Sequence, residues 1–127
     1  MSEISMNGTG GVECVTMLLD SATKAKIGTD YDGAKGKAVA LTGNNTVGYG
    51  TDGAAVFGVI RKAEPDGVAT IQVKGFACGL AGTASSTAVN KYAAVDGFGG
   101  VKSMTGSGVS RGFITAVDDS NKTDILM

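Results

Sequence analysis

The chain of 127 residues has no histidine and no tryptophan, a single proline, two cysteines and seven aromatics. Without histidine there is no Ser-His-Asp or Cys-His relay, no imidazole acid–base catalysis and no histidine metal site. Charge of one sign is also lacking. Eleven basic and twelve acidic residues give a net charge of −1, and they are scattered rather than blocked, which leaves no footprint for a phosphate backbone or an anionic membrane surface. Neither nucleic acid nor a membrane is an expected partner. No apolar run nears the roughly 20 residues of a membrane span, and Met1 to Gly11 lacks the charged and apolar regions of a signal peptide. Synthesis in a cytoplasm is the expectation.

Cys14 and Cys78 stand far apart with no CxxC spacing, so neither a zinc knuckle nor a thioredoxin-type site is suggested. Free cysteines usually pack as small hydrophobes, and burial is expected of both, with a disulfide as the alternative. Asn-x-Thr matches at Asn7, Asn44 and Asn121 carry no meaning without secretion.

What the chain does have is glycine, 21 of them, and an apolar fraction of 43% that leans on alanine and valine. The length suits one domain, with about two-thirds of the extended surface buried on folding. Small side chains supply little apolar area, and strand glycines lose much chain entropy. Subunit contacts are expected to supply missing stability, making a homo-oligomer the default.

The first eleven residues, MSEISMNGTGG, read as a flexible arm whose apolar anchors are Ile4 and Met6, followed by a single β-rich domain over residues 12–127. From Val12 to Leu19 a β-branched run places Val15, Met17 and Leu19 on one face at period two. Asp20 then suits either the cap of a helical turn from Ser21 to Ile27, stopped by Gly28, or a plain loop. Short strands are predicted at Lys37–Leu41, Thr46–Tyr49, Ala55–Ala63, Val68–Cys78, Lys91–Val95, Val101–Met104, Val109–Val117 and Thr123–Met127. Glycine, asparagine and aspartate clusters punctuate them. With only three glutamates, the fold class is all-β, a small barrel or sandwich of short antiparallel hairpins with an extended N-terminal arm.

Two hairpins are specific. Glu64-Pro65-Asp66-Gly67 places proline and glycine where a tight turn needs them, and Asp118-Asp119-Ser120-Asn121 forms the second, with the carboxylates as turn caps. After the first, Ala69, Ile71 and Val73 should point inward and Thr70, Gln72 and Lys74 outward. Phe76, Cys78 and Leu80 then need a bulge at Gly75 to return to the inner face.

Other motifs carry little chemistry. Gly48-Tyr49-Gly50-Thr51-Asp52-Gly53 matches GxGxxG, but no helix follows to receive a pyrophosphate, so a tight connection is the reading. Asp30-Tyr31-Asp32-Gly33 has only a fragment of a calcium loop's ligands. Lys74-Gly75-Phe76 is similar to a piece of a base-stacking strand, yet Ala77, Cys78 and Gly79 stand where further aromatics belong, and Phe76 is expected in the core. The expectation is therefore no enzyme, no cofactor and no metal.

Over residues 33–117 the succession GAKGKAVALTG, TVGYGTDGAAVFGVI, DGVATIQVKGF, YAAVDGFGGVK and GVSRGFITAVDD resembles the capsid cement, or head decoration, proteins of tailed bacteriophages. The order of segments carries more than any one of them, and Met1 to Ser21 has no counterpart. The resemblance implies a β-rich structural virion protein on the outer surface of an HK97-type capsid, often trimeric, with the major capsid protein as partner. It stabilises the expanded shell and has no catalytic motif to transfer. Ile4, Met6 and Val12 are the candidate capsid or subunit contacts. Two other readings remain open: a tail or fibre module, and a small barrel that binds carbohydrate or peptide.

Overall fold

Asp20 turns the chain out of its first strand. Its Oδ1 accepts the Thr23 amide at 2.8 Å, so the residue caps helix α1, Ser21–Ile27, which stops at Gly28 with φ 61°. Of the two readings of this stretch, the helix is the one observed. In the computed structural model, which describes residues 12–83, 87–105 and 108–127, ten strands accompany it. They are β1 (Glu13–Leu19), β2 (Ala38–Gly43), β3 (Thr46–Gly48), β4 (Gly58–Ala63), β5 (Val68–Lys74), β6 (Phe76–Ala81), β7 (Ala93–Val95), β8 (Val101–Ser103), β9 (Phe113–Val117) and β10 (Lys122–Leu126). The expected arm, with Ile4 and Met6, lies outside the described residues. No described helix is long and apolar enough to cross a membrane.

Five strands close a barrel in the order β1-β3-β2-β4-β5, β6-β10-β9 form a second sheet, and β7-β8 a third. The all-β small barrel expected from the sequence is what forms. Most pairings are antiparallel, but the barrel closes through a parallel one, Leu18 opposite Thr46 and Leu19 opposite Val47. A description built on hairpins alone misses that contact, because it joins strands separated by a helix and β2.

The alternation of β2 and β4 explains the small-residue composition. Val39 and Ile60 point into the barrel with Leu19, Val47 and Ile71, whereas their neighbours Ala38, Ala40 and Val59 point out of it, into a second core with Leu80, Val95, Ile114 and Ile125. Over Ala38–Ala40 and Gly58–Ile60 both faces are buried, so these stretches read as short unbroken apolar runs. At Gly58 a methyl group would run into the Gln72 carbonyl and Ile71 of the adjacent strand. Glycine here allows close approach of the two backbones.

The Pro65 turn forms as read: Gly67 adopts φ 88° and its amide bonds the Glu64 carbonyl. At the second hairpin Asp118 Oδ1 accepts the amides of Ser120 and Lys122 at 2.8 and 2.9 Å, while Asn121 takes φ 64°. The stretch between Lys74 and Leu80 departs from expectation. Gly75, φ 97°, does not return the strand to the same face. It passes the chain from the barrel into the second sheet. The bulge lies three residues on, where Cys78 and Gly79 together face the single residue Asp124 between the pairs Leu80–Thr123 and Ala77–Ile125. Ala77 and Leu80 are thereby buried, and Phe76 and Cys78 are exposed, against the expectation of a core position for each. Cys14 is likewise exposed, and both thiols are free. Gln72, expected outward, is fully buried and donates through Nε2 to the Lys74 and Phe76 carbonyls at 3.2 and 2.8 Å. It braces the backbone where the chain changes sheets, a demand that strand alternation does not register.

Candidate interaction surface

The candidate contacts divide at the edge of the described structure: Ile4 and Met6 precede it, and Val12 opens it at 53% exposure. What lies beside Val12 was not legible in the sequence. Alternation along β1 places Val15 and Met17 on one face with Leu19 as expected, but only Leu19 is covered. The reason is the short parallel seam. Among the described residues β3 pairs with β1 at Leu18 and Leu19 alone, so the first half of β1 has β5 on one side and no strand on the other.

That gap forms a hollow of about 660 Å³ lined by Val15, Met17, Leu41 and Phe57, with Gly43, Asn44 and Asn45 at its end. A second hollow, about 360 Å³, continues from Leu41 and Phe57 past Ala55 to Val109 and Arg111. Leu41 is 55% and Val109 66% exposed. The Arg111 guanidinium lies 5.7 Å from the Phe57 ring centroid and donates to the Val73 carbonyl at 2.7 Å, which fixes the side chain across the groove wall. Among the described residues lining either hollow it alone carries charge.

A second apolar surface follows from strand register. Leu126 lies opposite Phe76 on one side and Phe113 on the other, and Phe113 meets Tyr92 edge-on, 5.3 Å between centroids. Directly paired residues share a face, so these four form one row across the outside of the second sheet. The alternate row, Ala77, Ile125 and Ile114, is buried. Four large apolar side chains on the open face of a small protein mark an interaction surface more often than a solvated one.

The polar cleft is different. About 420 Å³ is enclosed by Lys26, Asp30, Lys37, Tyr49 and Phe98 with their neighbours. Lys26 Nζ donates to the Gly97 carbonyl at 3.1 Å and stands 5.3 Å from the Phe98 centroid and 5.9 Å from that of Tyr49. Its charge holds a loop to the helix. Burial, helped by the Asp30 charge, pushes the Tyr49 phenol above its usual 10.0. Asp30 Oδ1 accepts the Gly33 amide at 3.0 Å, so the fragment of a calcium loop is a turn. No group of three acidic or thiol side chains that would hold a metal is found among the described residues.

The GxGxxG match resolves as a connection: Tyr49 is buried, and Gly50 and Gly53 take φ 73° and 96°. No protein-family model matches this sequence, no curated protein matches it, and no solved structure matches the fold.

Proposed function

We propose that the protein is a capsid cement protein: a structural virion component that binds the outer surface of an HK97-type phage capsid as a homo-oligomer, most simply a trimer, and stabilises the expanded shell. One observation carries the reading. A single small body presents two apolar surfaces with no residue in common, the groove of Val15, Leu41, Phe57 and Val109 and the row of Phe76, Leu126, Phe113 and Tyr92. A protein that bridges neighbours needs two such surfaces, one for its own copies and one for the capsid protein, and its work is done by area and multivalency. The segment order over residues 33–117 supports the same reading.

The deciding experiment adds purified protein to expanded, undecorated capsids of a tailed phage and images the product. Regular density on the outer shell, at a copy number approaching that of the capsid protein, is expected. Bare shells would sink the proposal. The rival of a carbohydrate- or peptide-binding barrel draws on the cleft under Phe98, which is 76% exposed. It gains if a glycan or peptide array binds the protein while capsids do not.

A further inference from the structure

The first half of β1 is an open sheet edge beside an apolar groove. Backbone direction settles which groups face outward. The amides of Leu18 and Asp20 donate toward β3, to Asn45 and Val47 at 3.1 and 3.0 Å, and that of Leu19 donates the other way, to Gly67 at 2.8 Å. Peptide groups alternate along a strand, so Cys14 and Thr16 aim their N–H and C=O to the same side as Leu18. No strand among the described residues meets them there. An edge of this kind with an apolar floor receives an added extended strand: the main chain supplies hydrogen bonds and alternate side chains fill the floor.

We infer that the occupant is the segment Met1–Met6 of a second copy of this chain, which lies along β1 and closes the barrel seam from outside. The inference rests on the self-associating reading above and specifies one of its contacts. Three features favour that occupant. Ile4 and Met6 fall two apart, the spacing at which successive side chains of a strand reach one floor, here that made by Val15, Leu41 and Phe57. Glu3 is the one charged side chain among residues 1–11, and Arg111 is the charged residue of the groove wall. The linking stretch Asn7–Gly11 leads into Val12, the residue before β1, and, at about 3.3–3.6 Å per residue, spans roughly 17 Å, enough to leave one body for an adjacent one. Lying on its own β1 would instead require the chain to reverse within that stretch. Passage to a neighbour makes a head-to-tail contact, which closes into a ring when the rotation permits.

The test is a disulfide trap in free protein. Cys14→Ser and Cys78→Ser remove the native thiols. One tagged chain then carries Ile4→Cys, and a second, differently tagged and co-expressed, carries Leu41→Cys. Both the native Leu41 and Val109 are exposed, so Val109→Cys serves as a second acceptor should Leu41→Cys fold poorly. A cross-linked species bearing both tags is expected, and Phe98→Cys in place of Leu41→Cys should give none. A link formed only within a chain carrying both cysteines, or no link with either acceptor, overturns the inference. Amide exchange gives an independent reading. Cys14 and Thr16 should exchange at least about tenfold faster when the protein is diluted or carries Ile4→Asp with Met6→Asp, and unchanged rates also overturn it. No capsid enters either measurement, so failure of the protein on shells and failure of this contact are separate results.

Discussion

Asp20 does more than cap a helix. Its Oδ2 accepts the Thr42 hydroxyl at 2.8 Å, while Thr23, which it caps, receives the Tyr49 amide at 2.9 Å, so one carboxylate ties α1 to β2 and the end of β3. Burial alone would raise this carboxyl. The bonds from the Thr23 amide and hydroxyl, the Thr42 hydroxyl and the Lys26 charge outweigh it and hold the group below 3.8. A carboxylate depressed in the folded state contributes stability that is whole above the unfolded value and is lost as pH falls through the folded one. Asp20→Asn should therefore flatten the acid limb of stability below about pH 4, read from urea midpoints across pH; an acid limb identical to the parent's would refute the assignment. Gln72 supplies the second residue-scale prediction. Gln72→Leu removes the donor that serves two carbonyls and should destabilise by about 1–3 kcal/mol, measured by urea unfolding. Its Oε1 has no partner among the described residues, which keeps the cost toward the lower end.

At the scale of the element, the two carboxylates of the last hairpin separate cleanly. Asp118 holds two turn amides, and none of the described side-chain hydrogen bonds involves Asp119. Asp118→Ala should lower stability by about 0.5–1.5 kcal/mol and Asp119→Ala should leave the melting temperature unchanged. Equal losses would show that charge rather than capping sets the turn. Turns of this kind were legible because proline, glycine and aspartate state their torsions locally. The helix was legible as one of two options, since Asp20 and Gly28 suit a loop equally until β3 supplies a partner for the corner. The β5–β6 passage was not legible. Alternation predicts a face only while a strand stays in one sheet, and nothing in Lys74-Gly75-Phe76 announces a change of sheet.

For the whole molecule, the same limit explains why the barrel was readable and its surfaces were not. Apolar runs such as Ala38–Ala40 and Gly58–Ile60 declare burial on two faces. The groove beside β1 instead arises from a parallel seam two residues long, and the outer row from the registers of three strands, neither of which leaves a local trace. Val15 was expected on one face with Met17 and Leu19, yet stays uncovered because the neighbouring strand stops short. Those two surfaces make the prediction for the assembled state: sedimentation of the purified 127-residue chain should give a homo-oligomer, and a monomer at all concentrations and on the shell would reject it. Replacing Leu126 by Lys tests the outer row. It should cost at least about 2 kcal/mol of binding if Leu126 sits at a contact centre and leave the melting temperature near the parent's.

The wiring of the barrel also sets an order in time. β4 and β5 are joined by the Pro65 turn and pair as soon as both exist, whereas β1 takes its long antiparallel partner from β5, with Glu13 opposite Lys74. Non-local pairings of this sort form late, after their loop entropy has been met. On a ribosome, where synthesis runs at roughly 5–20 residues per second, β1 emerges before the strands it pairs with and waits through the synthesis of three further strands, β2, β3 and β4, before β5 appears. During those seconds both of its edges are unsatisfied, and neighbouring nascent chains on one message hold the same strand in the same state. The strand that closes the barrel last is thus the one with the longest opportunity to meet a sister chain before it has met its own.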